Sequence, residues 1–148
     1  MKKIILSSLI LFFVSCKKDV TPDYTPNFQG SYTQNYDELG TNLYRTKGTY
    51  KFLITKSGEN QVKMVVSNTY VLTRASEVIE QSTNSVTLQD VKCTSETELK
   101  VETIATSSTG STQQATGSGK LIGKNLRLDL TSSDGKKSVS QTFLLTKD

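Results

Sequence analysis

The 148-residue sequence has no histidine and no tryptophan, and only two cysteines and two prolines. Without histidine there is no Ser-His-Asp or Cys-His nucleophile, no imidazole metal ligand and no histidine-ligated haem. Two cysteines, Cys16 and Cys93, set up no disulfide framework. Long apolar runs are missing as well. The one sustained run, from Ile4 to Val14, measures roughly 16 Å as a helix, about half of a bilayer core of roughly 30 Å. It is too short to span, and behind Lys2 and Lys3 it has the form of the hydrophobic region of a secretory signal.

That signal ends in a cysteine. Phe13-Val14-Ser15-Cys16 resembles the lipobox of bacterial lipoproteins, in which Leu, a small or Val residue and Gly/Ala/Ser precede the Cys. Phe13 stands where Leu is favoured. The resemblance implies that residues 1–15 are a lipoprotein signal peptide. It also implies that Cys16 carries a thioether-linked diacylglycerol and an N-acyl chain such as palmitate. At about 0.8 kcal/mol per buried CH₂, two or more chains hold a protein durably at a membrane. Lys17, rather than Asp, follows the Cys. By the same resemblance this favours the outer membrane of a Gram-negative cell and leaves its periplasmic and surface faces both open.

Removing residues 1–15 takes away Lys2 and Lys3 and lowers the net side-chain charge from +4 to +2. Nucleic acid is therefore a poor partner for the mature chain. Residues 16–27, charged, holding both prolines and lacking periodicity, read as a lipidated N-terminus and flexible tether. Residues 28–148 read as one domain with Cys93 as its lone thiol.

The domain is rich in Thr and Ser, and its apolar residues alternate. Phe28, Gly30, Tyr32 and Tyr36 share a parity, as do Tyr44, Thr46, Gly48, Tyr50, Phe52 and Ile54. Arg45, Lys47 and Lys51 take the opposite face, a basic stripe that reads as a solvated edge discouraging strand addition, with contact to anionic lipid headgroups or glycans as the other reading. Gly48 in mid-strand suggests a bend or bulge. After a turn at Ser57–Asn60 come Val62, Met64 and Val66, and then Tyr70 and Leu72 in a further strand. Val86 and Leu88 differ in parity from Val91 and Cys93, which places a bulge or strand end near Gln89-Asp90. Leu99 and Val101 alternate with Glu98, Lys100 and Glu102, whereas residues 106–119 have almost no apolar content and read as a mobile loop or hairpin tip. Leu126, Leu128 and Leu130, then Val139, Phe143 and Leu145, complete eight or nine strands. The expected fold is all-β, an antiparallel up-and-down barrel. Closure removes the two edges that an open sheet exposes, which ranks a sandwich second.

Two segments resemble the lipocalin-like and calycin-like domains of bacterial lipoproteins. Phe28-Gln-Gly-Ser-Tyr32 is similar to their opening Gly-x-Trp/Tyr strand, and Gly117–Leu130 to their Gly-rich hairpin before the last strand. The resemblance implies a small barrel with an internal cavity for an apolar molecule.

Carboxylates suited to glycoside hydrolysis do not converge: Glu98, Glu102 and Asp129 lie opposite the apolar parities, and Asp90 suits a turn. No enzymatic activity, metal or cofactor is expected. Cys93, lacking a resolving partner, reads as a small core residue. The aromatic set on inward parities, Tyr32, Tyr50, Phe52, Tyr70 and Phe143, together with Gln141, is the candidate ligand site. Two functions follow as expectations. One is a lipid-anchored, non-enzymatic barrel that binds a small, partly apolar ligand. The alternative is an envelope interaction protein that contacts another protein or a glycan through its outer face and loops.

Overall fold

Alternating side chains build a wall with two chemistries, and in this chain the wall closes. The computed structural model describes residues 21–148, so Cys16 and the expected signal lie outside the described residues. A one-turn helix α1 (Thr25–Phe28) precedes eight strands: β1 (Gly30–Leu39), β2 (Tyr44–Gly58), β3 (Gln61–Arg74), β4 (Glu77–Cys93), β5 (Glu98–Ser107), β6 (Thr112–Ile122), β7 (Asn125–Ser133) and β8 (Ser138–Lys147). Each pairs antiparallel with the next, and β8 returns to β1, giving the up-and-down barrel that the periodicity predicts.

The core fills one end. Phe28, Tyr32, Phe52, Ile54, Val62, Met64, Val91, Val101, Leu126, Leu128 and Leu145 are almost fully buried. They are the inward parity of the strands, and α1 caps them from below. Two side chains fasten that cap. Asn60, in the β2–β3 turn, accepts the Tyr24 N–H through Oδ1 at 2.7 Å and donates Nδ2 to the Pro22 carbonyl. Lys56 pairs with Asp23 at 2.5 Å, and this bond holds the Asp23 carboxyl well below its usual range. Phe28 therefore begins no strand; it is the buried end of the cap. Thr21–Asn27 is not wholly spacer, because Thr25 is buried with it.

Three other expectations are corrected. Residues 106–119 are no long loop: β5 runs to Ser107, β6 begins at Thr112, and only a tight turn separates them. The segment is poor in large apolar residues because β6 turns small ones inward. A Cβ on Gly117 would collide with the Asp129 carbonyl oxygen, and one on Gly119 would lie 2.6 Å from Leu128 Cδ2 and 2.7 Å from Leu99 Cδ1. Gly48 marks no bulge, since the β1–β2 and β2–β3 registers run through it unbroken. Its missing side chain makes room for the Tyr36 ring, whose Cζ would lie 2.5 Å from a Cβ there. Tyr70 and Leu72 belong to β3 itself rather than to a further strand. The bulge expected near Gln89-Asp90 is present: the β4–β5 register shifts between Leu88 and Lys92, and Asp90 has φ 53°.

The two halves of the wall differ in height. β2, β3 and β4 have 15, 14 and 17 residues, against 9 to 11 in β5–β8. The β4–β5 pairing starts only at Val86, so Glu77–Ser85 rises above the shorter half. The β1–β8 seam is short as well, with Tyr32↔Lys147 and Thr33↔Thr146 as its register pairs. Above it the Gln34 side chain substitutes for the ladder by accepting the Leu144 N–H at 2.8 Å.

Candidate functional site

Above the filled end the inward side chains leave a cavity of about 310 Å³, the liquid volume of roughly ten waters. Its walls carry Phe52, Val66, Val86, Leu88, Ala105, Ala115, Leu130 and Phe143, with Tyr50, Asn68, Asn84, Gln113 and Gln141 as its principal polar groups. Antiparallel register explains the layering. Gln34, Tyr50, Asn68 and Asn84 are direct cross-strand neighbours across β1–β4, and so form one polar row. Two residues further toward the closed end, Tyr32, Phe52, Val66 and Val86 form an apolar row. Small side chains on the far wall, Ala105 and Ala115, leave the space open.

An aromatic chain stiffens one side. Tyr36 stacks on Tyr50 at 4.9 Å between centroids. Tyr50 meets Phe143 edge-on at 5.0 Å, and Phe143 meets Phe52 at 5.1 Å. Hydrogen bonds fix the middle of the polar row: Tyr36 Oη donates to Asn68 Oδ1 at 3.0 Å, and Gln141 Nε2 donates to Tyr50 Oη at 3.2 Å. Burial pushes the Tyr36 hydroxyl pKa upward, so it stays a donor across the ordinary pH range.

Of the six candidate residues, four meet at the cavity: Tyr50, Phe52, Gln141 and Phe143. Tyr32 does not line it; it is fully buried in the filled end, where the Lys147 ammonium lies 5.5 Å from its ring centroid. Tyr70 is also elsewhere, on the tall part of β3, donating to Glu80 Oε1 at 2.5 Å. Asn68, Asn84 and Gln113 were not among the candidates. Parity points to two of them, because Asn68 continues the Met64–Val66 face and Asn84 precedes Val86 and Leu88 on theirs.

The ion pairs of the barrel wall lie outside. Arg45 and Lys47 both reach Asp37, at 2.6 and 3.3 Å, on the outer face. Lys100 pairs with Glu102, and Arg127 with Asp129, also in solvent. Among the described residues no three His, Cys, Asp or Glu side chains group as metal ligands would. Cys93 is buried, and desolvation pushes its thiol up to about 11. A second surface feature lies at the top of the tall half. Leu39, Leu43, Val78 and Ile79, on the β1–β2 and β3–β4 tips, are between 53% and 81% exposed. The tips are joined by the Ala75 N–H, which donates to the Leu43 carbonyl, and by Arg74 over the Tyr44 ring.

Comparison of the chain with family models, curated proteins and solved structures found no match.

Proposed function

We propose that this protein is a lipid-anchored, non-enzymatic barrel of the bacterial outer membrane that binds a small, partly apolar molecule in its interior. The observation that carries this reading is the cavity itself: about 310 Å³, apolar in its walls and edged by a few aimed polar groups. Ligand sites combine these features, with apolar area supplying affinity and sparse polar groups fixing orientation. The chain direction agrees with an anchor at Cys16. The α1 cap and the last strand residue, Lys147, both lie at the filled end, so a tether there directs the mouth away from the membrane. The lipocalin-like character implied by Phe28–Tyr32 and Gly117–Leu130 belongs to the same proposal.

A second reading draws on a separate observation, the four exposed apolar side chains on the joined tips. Leu43, Ala75 and Ser76 have φ values of 65°, 47° and 75°, a conformation that costs non-glycine residues energy. Such a tip suits contact with another envelope protein or a glycan.

Native mass spectrometry of the gently purified protein tests the first reading. The expected result is a small bound mass, or uptake of an added neutral aromatic probe, that is lost in Ala115→Leu, which fills the cavity. A clean protein mass with no uptake would overturn it.

A further inference from the structure

We infer that the cavity selects uncharged ligands and discriminates against anions of the same shape, fatty-acid carboxylates included. This inference rests on the ligand-binding reading above and adds the chemical class of the ligand. Among the described residues, no Lys, Arg, Asp or Glu lines the cavity. Its polar groups are carboxamides, hydroxyls and one phenol, placed on β2, β3, β4, β6, β7 and β8. The cations at this end of the barrel, Arg45 and Lys47 on β2, Arg74 on the β3–β4 tip and Lys136 and Lys137 in the β7–β8 turn, are not lining residues. An anion entering the cavity gives up its water without meeting a compensating charge, and amide dipoles replace that water only in part.

The hydrogen bonds already made set what the polar row offers. Asn68 uses Oδ1 to accept from Tyr36, which leaves its Nδ2 as a donor at the cavity wall. Gln141 uses Nε2 to donate to Tyr50, so its Oε1 remains an acceptor. A head group that both donates and accepts, such as a hydroxyl or a primary amide, satisfies both at once. A carboxylate accepts only and would oppose the Gln141 carbonyl. The class is therefore a neutral amphiphile: an apolar body against Phe52, Val66, Val86, Leu88 and Leu130, with an uncharged polar end toward the mouth.

Two fluorescent probes that differ by one sulfonate test this directly. N-phenyl-1-naphthylamine is neutral; 1-anilinonaphthalene-8-sulfonate is the same skeleton with an anionic group. The expected result for the full protein is binding of the neutral probe at least tenfold tighter than the sulfonate. In Asn84→Lys the ratio of sulfonate to neutral-probe affinity rises at least tenfold, which a difference in probe hydrophobicity alone would not produce. Equal or tighter binding of the sulfonate by the unmodified protein, displaced in both cases by Ala115→Leu, would overturn the neutral class and leave the cavity reading standing. So would an Asn84→Lys variant with unchanged preference. Binding of neither probe, or binding indifferent to Ala115→Leu, would overturn the cavity reading itself and this inference with it.

Discussion

Gln141 of β8 donates its side-chain N–H to the Tyr50 hydroxyl of β2 at 3.2 Å, reaching past β1 to join two strands that are not neighbours in the sheet. The bond lies where the barrel has least backbone to hold it. The β1–β8 ladder covers Tyr32 and Thr33, and above that the seam depends on Gln34, Gln141 and the stacked rings of Tyr36, Tyr50 and Phe143. Side chains thus hold closed what main-chain hydrogen bonds hold elsewhere.

Removing this bond should loosen the seam without unfolding the barrel. Gln141 is exposed, and one such hydrogen bond is worth about 1 kcal/mol or less net. Gln141→Ala is expected to cost no more than that in urea unfolding. It is also expected to speed amide hydrogen exchange over Ser138–Thr142 while leaving Leu145 and Leu126 unchanged. Uniform acceleration across β8 would show that the bond does not act locally.

The β6 glycines should be far less replaceable than their place in a polar, Ser/Thr-rich segment suggests. Gly117→Ala would drive a methyl against the Asp129 carbonyl oxygen, which is fixed in the β6–β7 ladder; a loss of about 2–3 kcal/mol is expected. Gly119→Ala meets first the side chains of Leu128 and Leu99, which can shift, and should cost about 1 kcal/mol. Equilibrium denaturation of both variants checks the order as well as the size.

Cys93 supplies a pH-dependent prediction. Burial pushes its thiol from an ordinary 9.0 to about 11, with the Asp23 charge adding in the same direction. A raised pKa in the folded state means that folding holds the proton. The associated stability is complete below about pH 9 and is lost as pH rises toward 11. The unmodified protein should therefore lose more stability than Cys93→Ala between those pH values. Ellman's reagent at pH 8 should leave the native thiol unmodified and react fully in 6 M guanidinium. Rapid native labelling would contradict the buried-thiol account.

Tyr32 carries the clearest difference between a ligand residue and a core residue. Its hydroxyl is buried with no protein hydrogen-bond partner among the described residues. Tyr32→Phe removes an unsatisfied group, so stability should hold or rise by about 1 kcal/mol, and probe binding in the cavity should not change. Weakened binding in this variant would return Tyr32 to the site.

Much of this was legible in the sequence, for a definite reason. Strand parity is a local property, so Tyr50, Phe52, Gln141 and Phe143 could be assigned to the interior one strand at a time. Height within the barrel is not local. It depends on register between strands, and register separates Tyr32, in the filled end, and Tyr70, on the tall rim, from residues of the same parity that meet at the cavity. Residues 106–119 misled for a related reason. Gly117, Gly119 and Ala115 carry the inward face of a strand, but their small size suits neighbours such as Leu99 and Leu128 on the two flanking strands, and nothing nearby in sequence shows that requirement. Phe28 likewise has strand parity with Tyr32, yet the Asn60 and Lys56 clasps turn its segment under the barrel.

Methyl-resolved NMR of the protein titrated with N-phenyl-1-naphthylamine tests the central claim most directly. Shifts are expected at Val66, Val86, Leu88 and Leu130, with little change at Val62, Leu126 and Leu145 in the filled end. Shifts confined to Leu39, Leu43, Val78 and Ile79, with the cavity methyls unmoved, would contradict it and make the outer tips the binding surface.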